Sequence, residues 1–282
     1  MSKIKIVTDS TADIPKFLLE KYAVSFVPLK VFFGEECYRE DIDLSSGEFY
    51  EKLATFEGIP TTSQPSPGEF CECYRELTAD GSTVISIHIS GALSGTIQSA
   101  RIAASMLPEK EIIVVDSRLV CFPLGIVVLE AAKAAQAGKS TEQILEIIEM
   151  MINKMQTYFA VDTLEFLEKN GRIGKAASLL GTMLNLKPVL TIENGLIAPY
   201  EKVRGKSKAI EQMVKAAHKY RQENGPLHYF VFHGAAAEDA QKLKTRLKNE
   251  LEVQEILCGE VGAVVGTHAG PGVVALFFYS QN

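Results

Sequence analysis

The residues best suited to chemistry lie in one uncharged stretch, SGALSGTIQSA, which runs from Ser90 to Ala100 and follows the apolar run STVISIHI. Its glycines allow the backbone to approach a ligand closely, and Ser94 and Thr96 offer hydroxyl donors. The predicted helix that follows would direct unpaired backbone N–H groups at the same point. The stretch therefore indicates a site for a carboxylate or phosphate oxygen. A second interpretation stays open, in which the glycines only turn the chain and Ser94 only caps the helix.

Three residues of the second half could supply positive charge or hold a proton. His268 lies among the glycines of GTHAGPG, with little local bulk to cover its ring. Arg172, in EKNGRIG, falls in a turn between two predicted helices, and Arg204 follows a predicted hairpin. Together they are a candidate positive anchor for an anion. Each has an ordinary alternative, because glycine-rich turns and surface arginines are common without any ligand.

Other classes of site fit the sequence poorly. The five histidines never occur at the i, i+4 spacing of a helical zinc pair or beside paired cysteines, so we expect no metal site. The net charge is −6 and the lysines and arginines are scattered, so we expect no nucleic-acid partner. The letters RGKS at 204–207 are similar to the end of a phosphate-binding P-loop, but Tyr200 stands where that motif requires glycine.

These candidates depend on the elements that position them. Apolar strand-like runs alternate with helix-like runs through the first half, which is typical of a parallel sheet covered on both faces. The loops TDST, HISGALSGT and VDSRLV each follow such a strand, so we expect them at one edge of the sheet. In the second half, Asn194-Gly195 between two strand-like runs predicts a hairpin. We therefore predict an α/β fold, with an N-terminal doubly wound parallel sheet and a C-terminal α/β domain with a mixed sheet.

The length and the change of pattern predict two domains, residues 1–156 and 157–282. A cleft between two domains is the default place for a ligand, so we expect the ligand at the junction. Two apolar segments with internal glycines, Cys121–Ala132 and Ala177–Leu190, either line a tunnel or are buried helices.

No apolar run approaches the length that spans a bilayer, and Asp9 and Asp13 fall where a signal peptide would need its apolar centre. We therefore expect a cytoplasmic protein. The five cysteines are odd in number and irregularly spaced, which predicts reduced thiols that mostly serve in packing.

Six stretches of the chain resemble the DegV family, whose members are also called FakB-type fatty-acid-binding proteins. They are VTDSTADIP near the start, TTSQPSPGEF at 61–70, SGALSGTIQSA, VDTLEFLEKNGRIG at 161–174, KPVLTIENGLI and GTHAGPG. These stretches occur in family order and cover nearly the whole chain. The resemblance is therefore specific to the family and less specific to the ligand.

The resemblance implies two α/β domains that hold a long-chain fatty acid at their junction, with its tail in an apolar tunnel. By motif, the carboxylate would bind Thr62, Ser94 and the backbone of Gly95. Family members of this type present the carboxylate to a separate ATP-dependent fatty acid kinase, and the acyl phosphate then enters phospholipid synthesis. The residues that would face the phosphate or the kinase are Arg172, Arg204 and His268.

The resemblance thus implies a lipid-binding subunit that is not itself an enzyme, with a bound long-chain fatty acid as its ligand and no cofactor. Its partners would be the fatty acid and the kinase, with transient contact with a membrane. The chain departs from the family pattern at Ala92, which precedes Leu93 where a second Ser or Gly is more usual. The segment VDSRLVCFPLG also has fewer small residues than the family pattern, which bears on the shape of the tunnel and on chain-length preference.

Two alternatives belong to other functional classes. In the first, the chain is a hydrolase or transferase with Ser94 as nucleophile and His268 as base. Against it, SGALSGT is not the G-x-S-x-G turn of such enzymes, and the sequence places no Asp to orient His268. In the second, the chain is a regulator that senses lipid, but no helix–turn–helix signature or basic face supports DNA binding.

Overall fold

The computed structural model describes residues 3–182 and 187–281, which divide into two compact units. The first unit falls within residues 1–45 and 60–153, and the second within residues 46–59 and 154–282. The sequence predicts one continuous first domain up to residue 156, whereas the structure assigns α2 (Ser46–Thr55) to the second unit. The reason is packing, because the buried rings of Phe49 and Tyr50 lie directly against Gly266 of that unit.

Four parallel strands form the main sheet of the first unit. In spatial order they are β2 (Ser25–Val27), β1 (Ile4–Asp9), β6 (Thr83–His88) and β7 (Ile112–Asp116). All six residues of β6 are buried, which requires cover on both faces of the sheet. On one face, α3 (Pro67–Leu77) and α4 (Thr96–Ser105) share a core with Val7 and Val84. The remaining helices are α1 (Lys16–Tyr22), α5 (Phe122–Gln136), which contacts β1 and β6, and α6 (Thr141–Lys154).

A small antiparallel sheet in the first unit was not predicted. Its strands, in spatial order, are β4 (Glu36–Arg39), β3 (Lys30–Phe33) and β5 (Thr61–Ser63). The apolar run VSFVPLKVFF is divided between two strands, because β2 ends at Val27 and β3 begins at Lys30. Pro28 lies between them, and a residue without an N–H group cannot continue the ladder of a parallel sheet. The chain therefore leaves one sheet and enters another.

The second unit contains a six-stranded mixed sheet. In spatial order its strands are β10 (Leu196–Val203), β9 (Lys187–Glu193), β8 (Gln156–Ala160), β13 (Val274–Ser280), β11 (Leu227–His233) and β12 (Ile256–Glu260). Only the pair β11 and β12 is parallel among these neighbours in the described residues. Buried side chains of α8 (Lys206–Asn224) and α9 (Ala237–Leu251) pack on this sheet. The predicted fold class, a parallel sheet followed by a mixed sheet, is confirmed.

Two local sequence signals, one typical of a hairpin turn and one typical of a helix start, are found in the structure. Asn194 and Gly195 join β9 to β10 with φ values of 51° and 78°, as the predicted hairpin requires. Ser66 begins α3 with a reciprocal capping box, in which its hydroxyl accepts from the Glu69 N–H and the Glu69 carboxylate accepts from the Ser66 N–H.

The glycine-rich segment GTHAGPG differs from a simple turn. Its first four residues complete α10 (Ala263–Ala269), and Gly270 then ends this helix with a φ of 75°. His268 therefore lies in the last turn of a short helix. The other elements of this unit are α7 (Glu165–Lys169) and a 3-10 helix at Gly174–Thr182. None of the helices at residues 3–182 and 187–281 combines the length and the apolar character that a membrane span requires.

Candidate ligand-binding site

The predicted anion site is the loop between β6 and α4, residues 89–95. Ser94 Oγ lies 2.8 Å from Thr96 Oγ1 and accepts a hydrogen bond of 3.3 Å from the Thr96 N–H. Ser94 is half-buried, whereas Thr96 is fully buried, so Ser94 carries the hydroxyl that a ligand can reach. The N-cap of α4 is Gly95, which has no side chain to satisfy the first N–H groups of the helix. The loop therefore offers a hydroxyl and backbone donors at the positive end of a helix.

The structure brings the end of β5 to this loop. Gln64 lies one residue beyond β5, and its side-chain amide packs so closely on Gly95 that a Cβ at this position would clash with Gln64 Oε1. The Gln64 amide also donates to Ser99 Oγ at 3.2 Å. Thr62 is half-buried on β5, two residues before Gln64. The predicted residues Thr62 and Ser94 therefore belong to two segments that are in contact.

Gln64 was missed in the sequence, although it is the residue that joins these segments. Its only signal was its place in the motif TTSQPSPGEF. Nothing in the local spacing connects that motif to Gly95, because the contact joins residues 31 positions apart, from 64 to 95.

The three loops that follow β1, β6 and β7 meet at one edge of the parallel sheet, as predicted. Asp9, at the end of β1, accepts from the Ile89 N–H at 3.0 Å. Asp116, at the end of β7, accepts from the Gly91 N–H at 3.2 Å. Ala92, where the chain departs from the family pattern, has an exposed side chain, and its N–H donates to Ser90 Oγ at 3.2 Å. The backbone of the loop is therefore still held by Asp9 and by Asp116, although Ala92 departs from the family pattern.

Below this edge lies a buried chain of hydrogen bonds that the sequence did not reveal. His88 Nδ1 is 2.9 Å from Asp9 Oδ2, and His88 Nε2 is 2.7 Å from Ser86 Oγ. The Tyr74 hydroxyl donates to Ser86 Oγ at 2.8 Å. Asp9, His88 and Ser86 have the side-chain types of a hydrolytic triad, but each of the three is 0% exposed. No substrate can reach them in this structure, so they do not supply the enzyme alternative with a catalytic group.

In the second unit, Arg172 and His268 come together. The Arg172 N–H donates to the Leu167 carbonyl at 2.8 Å, and its guanidinium donates to the Asn170 carbonyl at 2.7 Å. The Asn170 amide in turn donates to the Thr267 carbonyl at 3.1 Å, which ties this turn to α10. Burial, with a smaller effect of the Arg172 guanidinium, lowers the pKa of His268 from its ordinary value of 6.5 to about 4. At neutral pH the imidazole is therefore uncharged, and Arg172 carries the positive charge.

Arg204 is exposed in the turn between β10 and α8, two residues before Lys206. The Lys206 ammonium lies 3.0 Å from Asp162 Oδ1 and donates to the carbonyl oxygen of Gly272. The turn that carries Arg204 is therefore fastened to the segment that follows α10 and His268. Arg172 and His268 therefore lie close together, and Arg204 lies on a turn that is joined to the segment following His268.

The structure describes the apolar segment Cys121–Ala132 in full and the segment Ala177–Leu190 in part. The helix α5 is buried along most of its length, from Phe122 to Ala134, as expected for either a core helix or a tunnel wall. Of the segment Ala177–Leu190, the 3-10 helix and β9 are described, and residues 183–186 lie outside the described residues. The tunnel stays a prediction. Among residues 3–182 and 187–281, no group of three or more His, Cys, Asp or Glu side chains could hold a metal ion.

Comparison with known proteins places the chain in a family. The model of the DegV family matches residues 3–281. Protein DegV of Bacillus subtilis is 37% identical over 274 residues, which are 97% of this chain and 98% of that protein. A DegV domain-containing protein of Clostridium perfringens is 39% identical over 283 residues and 99% of both chains. The chain belongs to the DegV family, as its motifs predicted.

Solved structures agree with this assignment. A fatty-acid-binding DegV family protein from Thermus thermophilus superposes with a TM-score of 0.93 at 38% identity, over 99% of this chain and 100% of that one. DegV of Bacillus subtilis, a fatty acid binding protein, gives a TM-score of 0.91 at 37% identity over 100% of both chains. A stearic-acid-binding protein from Eubacterium ventriosum gives 0.91 at 28% identity, over 100% of this chain and 99% of that one.

Proposed function

We propose that this chain binds a long-chain fatty acid and that Thr62, Ser94 and the backbone of Gly95 hold its carboxylate. The observation that carries the proposal is the reachable Ser94 hydroxyl at the start of α4, beside the Gly95 N-cap. A carboxylate accepts hydrogen bonds only, and donors at the positive end of a helix suit it without a paired cation. The relatives from Thermus thermophilus and Bacillus subtilis, which bind fatty acids, support the same ligand class. The position of the ligand relative to the two units stays a prediction.

Mass spectrometry of an organic-solvent extract of the natively purified protein tests this proposal. We expect close to one fatty acid per chain, and the spectrum would also name the preferred acyl chain. Ser94→Ala, purified in parallel, should carry less lipid. Ser105→Ala is the matched control, because Ser105 is exposed at the other end of α4 and donates to the Ile102 carbonyl. An extract without lipid, from a protein that also takes up no palmitate, would contradict the proposal.

We further propose that the chain presents this carboxylate to a separate ATP-dependent fatty acid kinase. In that reaction a carboxylate oxygen attacks the γ-phosphorus of ATP and ADP leaves, so negative charge gathers on the transferred phosphoryl group. The permanent charge of Arg172 beside His268, with Arg204 on the adjoining turn, supports a role for these residues on the phosphate or kinase side. The fatty acid itself would remain in the binding chain throughout the reaction.

The kinase proposal is tested by mixing the chain, palmitate, ATP and a purified fatty acid kinase, with hydroxylamine added to trap acyl phosphate as the hydroxamate. We expect hydroxamate only when all components are present. Hydroxamate formed without the kinase would make this chain the enzyme and would contradict the proposed division of roles. Its absence from the complete mixture, with palmitate shown to be bound, would reject the kinase partnership and leave fatty acid binding intact.

A further inference from the structure

The Asp9 carboxylate is the central acceptor of the buried hydrogen-bond network that lies below the loop of residues 89–95. Its Oδ2 accepts from His88 Nδ1 at 2.9 Å and from the Ile89 N–H at 3.0 Å. Its Oδ1 accepts from the N–H of Thr11 at 3.1 Å and from the Thr11 hydroxyl. Both oxygens of a wholly buried carboxylate are therefore occupied by donors from β6 and from the turn after β1.

Within this network, the donor and the acceptor of each hydrogen bond can be assigned in order. The Tyr74 hydroxyl donates to Ser86 Oγ, which leaves the single Ser86 proton for His88 Nε2. His88 Nε2 then accepts, so the imidazole proton lies on Nδ1 and is donated to Asp9. The ring is also held from the side, because Phe70 packs edge-on against it with 5.0 Å between the ring centroids. This order of donors assigns the Nδ1–H tautomer to His88, and its two hydrogen bonds and Phe70 hold the ring in one orientation.

The same residues fix the first residues of the loop that carries Ser94. Ile89, held by Asp9, precedes Ser90, whose carbonyl accepts from the Ser94 N–H at 3.1 Å. The His88 carbonyl accepts from both the N–H of Ser117, at 3.1 Å, and its hydroxyl, at 2.6 Å. The loop is thus tied at its base to β1 and β7 before it turns to present Ser94.

We propose that Asp9 and His88 are positioning residues for carboxylate recognition. They fix the base of the loop of residues 89–95, so that the Ser94 hydroxyl and the Gly95 backbone are oriented for the ligand carboxylate before it binds. The inference rests on the proposed function and deepens it, because it assigns the preorganisation of the site to a network that touches no ligand. A network that merely held the sheet together would affect stability and leave ligand selection unchanged.

The test compares two probes of equal chain length, palmitate and hexadecanol, which differ in the carboxylate alone. Both are presented from cyclodextrin and displace a fluorescent fatty acid from the full chain. The ratio of their dissociation constants measures carboxylate recognition separately from tail binding. In wild type we expect palmitate to bind much more tightly than hexadecanol. Asp9→Asn replaces an acceptor by an amide donor, and the ratio should fall about tenfold.

Thr78→Val is the matched control, since it removes a buried hydrogen bond to the Tyr74 carbonyl, outside the network, and leaves all four donors on Asp9 in place. Its melting temperature should fall while the ratio stays at the wild-type value. Ser86→Ala is the second variant, used if Asp9→Asn does not fold. It deprives His88 Nε2 of its partner, so the ratio should fall by a smaller factor, severalfold.

A folded Asp9→Asn protein with the wild-type ratio would overturn the positioning role, and so would a folded Ser86→Ala protein with an unchanged ratio if Asp9→Asn fails to fold. A fall of the ratio in Thr78→Val as large as in Asp9→Asn would also overturn it, because the ratio would then follow stability. These outcomes are distinct from failure of the proposed function. If wild type binds neither probe, fatty acid binding itself is rejected, and the positioning role with it.

Discussion

The two candidate regions of the molecule use opposite chemistry for an anion. The loop of residues 89–95 in the first unit offers hydroxyls and backbone N–H groups and contains no charged side chain. The loops around α10 in the second unit offer Arg172 and Arg204 together with the largely buried imidazole of His268. Neutral donors discriminate by direction and distance, whereas a guanidinium attracts any anion nearby.

The difference also extends to how each region is held. The first loop rises from an edge where parallel strands end and is tied down by the buried Asp9 and by Asp116. The second region consists of helix ends and turns, fastened by Asn170 and by the half-buried Lys206, which bonds Asp162 and the Gly272 carbonyl. A rigid neutral site suits a ligand carboxylate that stays in place, and an accessible cationic region suits a phosphoryl group that arrives and leaves. Four changes would break or sharpen this comparison.

The largest effect is expected from Ser94→Ala. A hydrogen bond to a charged group contributes about 1.5–3 kcal/mol, so the dissociation constant for palmitate should rise about 10- to 100-fold. Isothermal titration calorimetry with palmitate measures it. The melting temperature should fall by only a few degrees, since the hydroxyl also accepts from the Thr96 N–H. Wild-type affinity in Ser94→Ala, with Ser105→Ala as the reference, would remove the first region from carboxylate binding.

His268 should make stability depend on pH in the acid range. Its pKa is lowered to about 4 in the folded chain and returns towards 6.5 on unfolding, so the unfolded chain binds more protons between these values. Stability is therefore fully present above about pH 6.5 and declines as the pH falls towards 4. Allowing for the partial exposure of the ring, the loss is about 1–2 kcal/mol. Urea unfolding at pH 7 and pH 5 measures it.

His268→Gln should flatten this pH dependence, because the substituted side chain does not titrate. His218→Gln is the matched control, since His218 is an exposed histidine on α8. The same decline of stability in wild type and His268→Gln would show that another group is responsible.

Arg204→Ala should spare palmitate binding and slow acyl phosphate formation by the kinase about tenfold, the effect of losing roughly 1.4 kcal/mol of charge stabilisation. The measurement is the initial rate of hydroxamate formation with palmitate at saturation. Lys202→Ala removes an exposed cation of β10, two residues before Arg204, and should leave the rate unchanged. A tenfold loss of palmitate affinity in Arg204→Ala, with no effect on the rate at saturation, would move Arg204 to the carboxylate site and erase the contrast between the regions.

The parts of the fold that could be predicted from the sequence are those with local signals. The hairpin at Asn194-Gly195 occurs as predicted, and the capping box at Ser66 likewise depends on residues only a few positions apart. The meeting of three loops at one sheet edge followed from the rule that parallel strands end together. The residue types around Ser94 indicated an anion-binding site, whereas Thr62 was predicted as a carboxylate ligand only through the family resemblance.

The features that were missed depend on distant contacts. Asp9 and His88 are 79 positions apart, and each alone has an ordinary alternative as a structural residue. The close contact of Gln64 with Gly95 and the packing of Tyr50 against Gly266 also produce no periodic pattern in the amino-acid sequence. The antiparallel sheet of β3, β4 and β5 was hidden because its strands are only three or four residues long, which is too short for an alternating pattern.

The smallest effect is expected from Thr62→Ala. Thr62 is half-buried on an edge strand, β5, and Gln64 links this strand to Gly95. Loss of one hydroxyl that shares the carboxylate with Ser94 should weaken palmitate binding about 3- to 10-fold. Thr61→Ala is the matched control, because Thr61 is exposed and its side chain points to the opposite face of the strand. Equal palmitate affinity in Thr62→Ala and Thr61→Ala would confine recognition to the loop of residues 89–95. A loss of affinity in Thr62→Ala alone, absent when hexadecanol is the probe, would extend the neutral site across both segments.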